Sequence, residues 1–390
     1  GMDFDTNYAT ATYIDSLGAE ALEQAISYTA GNHWLMAWSL LITAAVTWLI
    51  VRSKMLVYLS KSVSKKSFLA QSFLICAAYI VISSIIELPW VIYSNWFREI
   101  QYGSSNQPIG DFLSQISINL TLNSLFNAII FTGCYIFIRR SARYWWAWLG
   151  SFATSLLFIV VLIQPVVIEP LFNDYQPLPE GEVKNALEEL AIGAGIAADR
   201  IFTYDGSRQS NNFSANVSGL GSTARIAISD IALTEANLEE VKAVTGHEIG
   251  HYVSGHIWSL LFMQSAQLVI VFLIASKFFA PTARVFGSSE DIANPIGIPV
   301  LILLVGMGNI LTQPLANTLS RMHETDADRY SLKVVNLPDA LASALIKTAE
   351  YRNPRPRKIE EWVFYSHPSV ENRVRLAMEW KSDKLKDQIQ

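Results

Sequence analysis

Six runs of apolar residues, each long enough to cross a bilayer, constrain this chain more than any other feature. They lie at about 34–51, 68–90, 118–138, 145–168, 257–280 and 296–316. Backbone in hydrocarbon must satisfy its own hydrogen bonds, so such segments read as helices of a membrane bundle. Trp90, Tyr93, Trp96, Tyr144, Trp145 and Trp146 crowd several of their ends, which suits interfacial belts. The competing reading is a large soluble all-helical protein with buried helices. It fits poorly, because only 16% of the residues are charged and 51% are hydrophobic, with a mean hydropathy of +0.27.

The chemistry concentrates in two short strings. His247-Glu248-Ile249-Gly250-His251 is an HExxH motif. On a helix, residues four apart share a face, so His247 and His251 can grip one metal ion together. Glu248 then points into the same cleft as a general base on a metal-bound water. Catalytic zinc needs a third protein ligand and an open fourth position. Glu324, in Glu324-Thr325-Asp326-Ala327-Asp328, is the best candidate for that ligand. Asp328, four residues on, is placed to hydrogen-bond a ligand imidazole. HExxH fixes only three positions and settles no function alone. The parity of the spans adds to it: the first string precedes the fifth span and the second follows the sixth. Both therefore sit on one face of the membrane, each expected on a helix running straight out of the bilayer.

Outside the spans, residues 170–256 form the main insertion. In it, 182–192 reads as an amphipathic helix, 200–204 and 225–229 as short strands, and 207–222 as loop and edge strand. Residues 233–256 read as one helix, with Thr234 as N-cap and Glu235 in its first turn. An edge strand beside a metal-binding helix can pair with an extended substrate. The expected divisions are an N-terminal segment (1–32), four spans (33–169), the soluble part with HExxH (170–256), two spans (257–316) and a C-terminal soluble part (317–390). Gly1 before Met2 reads as a remnant of tag removal. The first 30 residues hold no Lys or Arg and no apolar core, so they are not read as a signal peptide.

Further motifs resemble the CAAX prenyl protease type I family of integral-membrane zinc metalloproteases. Residues 93–110, with Glu99-Ile100-Gln101-Tyr102-Gly103, resemble the family's loop after an early span. Ile168-Glu169-Pro170-Leu171-Phe172-Asn173 and Pro177-Leu178-Pro179-Glu180-Gly181 resemble its entry to the soluble domain. Gly206-Ser207-Arg208, Ser320-Arg321 before Glu324, and His367-Pro368 with Arg373 complete a likeness over roughly residues 20–380.

The resemblance implies a mainly α fold: a polytopic membrane helix bundle enclosing a chamber, with a small α+β zincin-like metalloprotease domain. It implies one Zn2+ per chain held by His247, His251 and Glu324, with Glu248 activating the water. His367 and Arg373 would face the scissile carbonyl or the substrate backbone, one of them stabilising the oxyanion. The family's edge-strand Asn-Ala reads Ser214-Ala215 here, followed by Asn216, and these three are the expected substrate-binding residues. The family commonly has seven spans. The absent one is the first, so a chamber wall is expected to be open or closed by the N-terminal segment.

The expected function is zinc-dependent hydrolysis of peptide bonds, with a peptide or protein substrate, prenylated or not. The alternatives are a broader membrane quality-control zinc protease and, with least support, a non-catalytic membrane protein with a vestigial metal site. Gln115, Asn119, Asn123 and Asn127 make a polar stripe on an otherwise apolar span. Lining a water-filled chamber and interhelical hydrogen bonding both account for it, and the first is preferred for four amides in line. Glu87 reads as chamber-lining or interfacial.

Among the other histidines, His256 reads as a packing residue or a support to a ligand. His323 is read as facing away from the site and His33 as interfacial. Arg321 is expected to hold structure through a carboxylate. Cys76 and Cys134 read as small apolar residues within spans. A net charge of −5 offers no basic face for nucleic acid. Topology divides the evidence. Arg52, Lys54, Lys61, Lys65, Lys66, Arg139, Arg140 and Arg143 lie in loops opposite the metal motif, so the positive-inside rule places that motif outside the cytoplasm. The resemblance implies the cytosolic side. The charge bias is given the greater weight because it comes from this chain.

Overall fold

Each of the six apolar runs forms a helix in the computed structural model, which describes residues 3–349 and 352–390. The chain opens with α1 (Thr6–Asp15), then α2 (Ala19–Ser53), α3 (Phe68–Val91), α4 (Ile109–Arg140) and α5 (Trp145–Ile163). α3 continues through a π-turn, Ile92–Phe97, and α5 through another, Gln164–Ile168. The last two spans are α8 (His256–Val285) and α9 (Ile298–Val334), described below with their neighbours. The bundle packs around Ile50, Tyr79, Tyr135, Trp145, Phe272 and Leu301. Arg52, at the end of α2, lies against Gly287 in the turn after α8. The first and fifth spans therefore end on one face, as parity requires.

The N-terminal segment divides between the first span and the C-terminal part. Residues 19–32 are continuous with the first span. α1 packs instead on the C-terminal part through Phe4, Ala9 and Tyr13, and Tyr13 donates to Asp339 at 2.6 Å.

The soluble part starts with β1 (Tyr175–Pro177), α6 (Glu182–Gly193), β2 (Ile201–Tyr204), β3 (Ala215–Ser218) and β4 (Arg225–Ser229). The sheet order is β1-β2-β4-β3, with β2 and β4 parallel and the other pairs antiparallel. All five residues of β4 are buried, as a central strand covered on both faces must be. β3 lies at the edge. Leu187, Ile201, Ile226 and Ile228 close the core against Ile249 of α7 (Leu238–Val253).

α7 corrects two expectations. Its N-cap is Asn237, not Thr234: Asn237 Oδ1 accepts from Glu240 N at 2.8 Å and Glu240 Oε1 accepts from Asn237 N at 3.1 Å. This reciprocal pair satisfies two otherwise free donors. Thr234 belongs to a short preceding helix, Asp230–Glu235. At the other end α7 does not run into the membrane. Gly255 takes a left-handed conformation (φ 65°), which glycine adopts without a Cβ penalty, and α8 starts afresh at His256.

α9, by contrast, is unbroken. Its 37 residues span about 55 Å at 1.5 Å per residue, well beyond a hydrocarbon core of about 30 Å. It carries the sixth span and Glu324 on one rod. α10 (Pro338–Thr348), α11 (Lys358–Phe364) and α12 (Val370–Ile389) complete the chain. Leu332, Leu341, Leu345, Val374 and Met378 hold α9, α10 and α12 together.

Candidate active site

Two glycines let α7 approach α9. A Cβ on Gly250 would lie 2.9 Å from Tyr330 Cβ and 3.1 Å from Ala327 Cα. On Gly246 it would lie 2.7 Å from Val335 Cγ2. The Gly250 neighbours are backbone or next to it and cannot swing away. Gly250→Ala is therefore expected to part the two helices, at a cost of about 1–3 kcal/mol for overpacking. Unfolding in detergent measures this, and an unchanged midpoint would refute the close-packing argument.

This contact brings His247 and His251 against Glu324. The Nε2 atoms of the two imidazoles lie 3.1 Å apart. His247 Nε2 is 2.9 Å from Glu324 Oε2, and His251 Nε2 is 3.2 Å from Glu324 Oε1. Ligands about 2.0–2.1 Å from one tetrahedral ion stand about 3.3 Å from each other, so the triangle has the size of a zinc site. The tautomers agree. Asp328, fully buried, accepts from His247 Nδ1 at 2.7 Å, which leaves a lone pair on Nε2. His251 Nδ1 pairs with His256 Nδ1 at 2.9 Å. With His251 donating there, its Nε2 also turns a lone pair inward. Glu324 Oε2 is buried with no hydrogen bond of its own. Two lone pairs and a carboxylate facing one point fit a cation. Burial would lower the His247 pKa, but Asp328, Glu324 and Glu248 together outweigh it and carry it up to about 10. The same negative surroundings that favour a proton there favour a metal.

Glu248 Oε1 is 3.9 Å from His247 Nε2, with 29% of its side chain exposed. Burial raises its carboxyl above the usual range, against the pull of His247 and His251. His367 brings Nε2 to 3.3 Å from Glu324 Oε1. Burial pushes its imidazole down to about 4, against the pull of Glu324 and aided by Arg373 and Arg352. Arg373 borders the cleft and also reaches Asp328 beside His247. Its Nε and Nη2 donate to Asp328 Oδ2 and Oδ1 at 2.8 and 2.9 Å. The order is Arg373, Asp328, His247.

Three side chains of α9 hold the segment before His367. Asn317 Nδ2 donates to Val363 O at 2.8 Å and Ser320 Oγ to Ser366 O at 2.6 Å. Arg321 Nη1 donates to Glu361 O, Trp362 O and Tyr365 O at 2.8, 3.1 and 2.7 Å. Arg321 thus holds structure through the carbonyls at the end of α11, not through a carboxylate.

Three cavities meet at the site. One of about 330 Å3 is bordered by Ser214, Ala215, His247, Glu248, His367 and Arg373. A second, about 470 Å3, is bordered by Asn216, His251, His256, His323 and Glu324. The largest, about 720 Å3, runs from Asn32, His33 and Met36 of α2 to His367 and Arg373. His33 is therefore a cavity wall residue, stacked on Phe364 with centroids 3.9 Å apart. His323 stacks on His256 at 4.2 Å, so it packs against the site instead of facing away. Ser214 precedes β3 and is fixed to Ser229 at 2.9 Å, and Asn216 Oδ1 is buried without a partner.

The amide stripe does not reach this region. Gln115 accepts from Gln107 at 3.1 Å. Asn119 and Asn123 are exposed and Asn127 is half-buried. None of the four borders the three cavities. Sequence reasoning gave no role to Gly246 and Gly250, although a small-xxx-small spacing overlapping HExxH was the available signal.

Comparison with known proteins follows the same outline. Residues 177–381 match peptidase family M48, and residues 7–174 match the CAAX prenyl protease N-terminal region of five membrane helices. CAAX prenyl protease 1 of Saccharomyces cerevisiae is 28% identical over 346 residues, 82% of this chain and 75% of the relative. An uncharacterized metalloprotease of Bacillus subtilis, YhfN, is 28% identical over 310 residues, covering 76% and 71%. The human CAAX prenyl protease 1 homolog is 26% identical over 363 residues, covering 78% and 73%. The crystal structure of S. mikatae Ste24p shares the fold, with a TM-score of 0.77 at 22% identity over 96% of this chain and 95% of that one.

Proposed function

This chain belongs to peptidase family M48, and from that membership we propose that it is an integral-membrane zinc endopeptidase acting through His247, His251, Glu324 and Glu248. The observation that carries the reading is the convergence of two imidazole lone pairs and a buried carboxylate on one point. A divalent metal held by these three donors supplies Lewis acidity. The protein's own residues do the rest. Glu248 takes a proton from the attacking water and hands it to the departing amine, and its raised pKa suits both halves of that task. Ser366 Oγ lies 3.1 Å from His367 Nδ1. With Ser366 donating, His367 presents Nε2–H to the developing oxyanion. Arg373 acts as a positioning residue: it orients Asp328, which sets the His247 tautomer. The free edge of β3 pairs with the extended substrate backbone. The exposed amides of α4 line a wet chamber, because polar groups without protein partners are costly against lipid.

The proposed substrate is a prenylated peptide of the kind named in the relatives. The 720 Å3 cavity supports this, since Leu35, Met36, Leu40, Leu303 and Ile310 give it an apolar wall beside His367. The test is cleavage by detergent-purified protein of one CAAX peptide with and without its farnesyl group. Preference for the lipidated form is expected. Equal cleavage would make the enzyme a broader membrane protease.

His256 supports His251 much as Asp328 supports His247. Its Nε2 lies 3.6 Å from Asp326 Oδ2, which fixes the ring's far side. His256→Ala is expected to weaken zinc binding about 10–100-fold. His256→Asn, whose amide oxygen accepts at the Nδ1 position, should recover much of it. Chelator competition measures both, and wild-type affinity in the alanine variant would remove His256 from this role.

A further inference from the structure

The cleft along β3 is not symmetrical about Glu248. Glu248 borders the 330 Å3 cavity with Ser214 and Ala215, whereas Asn216 to Leu220 border the 470 Å3 cavity with Glu324. Resting on the peptidase reading above, the base must deliver its proton to the amine that departs. Breaking a peptide C–N bond frees the amine of the residue that follows, so the departing fragment is the C-terminal one. The smaller cavity, on the Glu248 side, therefore takes the residues after the scissile bond. Strand pairing gives the same polarity independently. β3 runs from the smaller cavity towards the larger, so a peptide lying antiparallel to it runs from the larger to the smaller.

Two guanidinium groups border the smaller cavity, Arg352 and Arg373. Arg373 is neutralised by Asp328. Arg352 follows the last turn of α10, its N–H bonded to Ala349 O at 2.9 Å, and has no carboxylate partner among the described residues. It is exposed where the 330 Å3 and 720 Å3 cavities meet. Its charge is felt at both His367 and Tyr365.

We propose that Arg352 receives a carboxylate on the C-terminal, departing fragment, so that the enzyme favours peptides with a negative charge just beyond the bond it cuts. The carboxylate has two sources, the end of the substrate chain or an acidic side chain near it.

Three farnesylated peptides of otherwise equal sequence test this: a free C-terminal acid, the C-terminal amide, and the amide with Glu as last residue. For wild-type protein the acid is expected to exceed the amide about 10-fold in kcat/KM, mainly through KM, as a charge-assisted hydrogen bond allows. Arg352→Ala should bring the acid-to-amide ratio close to one, and Arg352→Lys should keep part of it. A purely structural role would lower both peptides together and leave the ratio intact. If the third peptide matches the acid, any nearby carboxylate serves; if it matches the amide, the chain terminus is what Arg352 reads. A wild-type ratio near one, or a ratio untouched in Arg352→Ala, overturns the proposal. Failure of zinc-loaded wild-type protein to cut any peptide would instead overturn the peptidase reading.

Discussion

Glu248→Gln is expected to lower peptide cleavage by about 100- to 10,000-fold while leaving zinc in place. The amide keeps the size and apolar stem of the carboxylate, so the packing of α7 is undisturbed. It removes the one group able to accept the proton of the attacking water and release it to the amine. Glu248 contributes no atom to the triangle of His247, His251 and Glu324, so metal content should stay at one ion per chain. Single-turnover cleavage and metal analysis on the same preparation give both readings. Cleavage retained in a pure variant would sink the assignment of Glu248 as base. Loss of the metal instead would mean that Glu248 holds the site together.

Arg373→Leu is expected to destabilise the protein by about 3–5 kcal/mol, the usual cost of removing one partner of a buried ion pair. Asp328 is fully buried and accepts two bonds from Arg373 and one from His247. Without the guanidinium its charge has only the imidazole as partner. Arg373→Leu combined with Asp328→Asn removes both charges and should recover most of the stability. It should not recover zinc affinity, because an amide carbonyl is a weaker anchor for the His247 Nδ1 proton. Unfolding in detergent and chelator competition separate the two effects. A group whose only role is to face the substrate would leave unfolding unchanged.

The ion pair of Arg373 with Asp328 was not visible in the sequence. Arg373 and Asp328 are 45 residues apart and on different helices. No periodicity reports such a pair. The spans were legible because hydrocarbon demands long apolar runs, and α2, α3, α4, α5, α8 and α9 carry them, α2, α4 and α9 running well beyond. The HExxH string was legible because ligand spacing and helix period coincide. The start of α7 was not: Thr234 and Asn237 are both good caps, and only the reciprocal bond of Asn237 with Glu240 decides between them. The stop at Gly255 was hidden because apolar residues continue past it into α8. His256 and His323 each looked incidental along the chain. They meet because the start of α8 lies beside α9 one residue before Glu324.

The chain from Arg373 through Asp328 to His247 also sets the time at which the site comes into being. His247 and His251 leave the ribosome first, Asp328 follows 81 residues after His247, and Arg373 comes a further 45 residues later. Until the last of these has been made, the carboxylate that steadies His247 has no guanidinium to neutralise it. A nascent chain with five spans already inserted holds both histidines but no site, and one cut short before α12 cannot settle it. Catalytic competence is thus withheld until α12 has been made, and copies ended before it stay inert in the membrane.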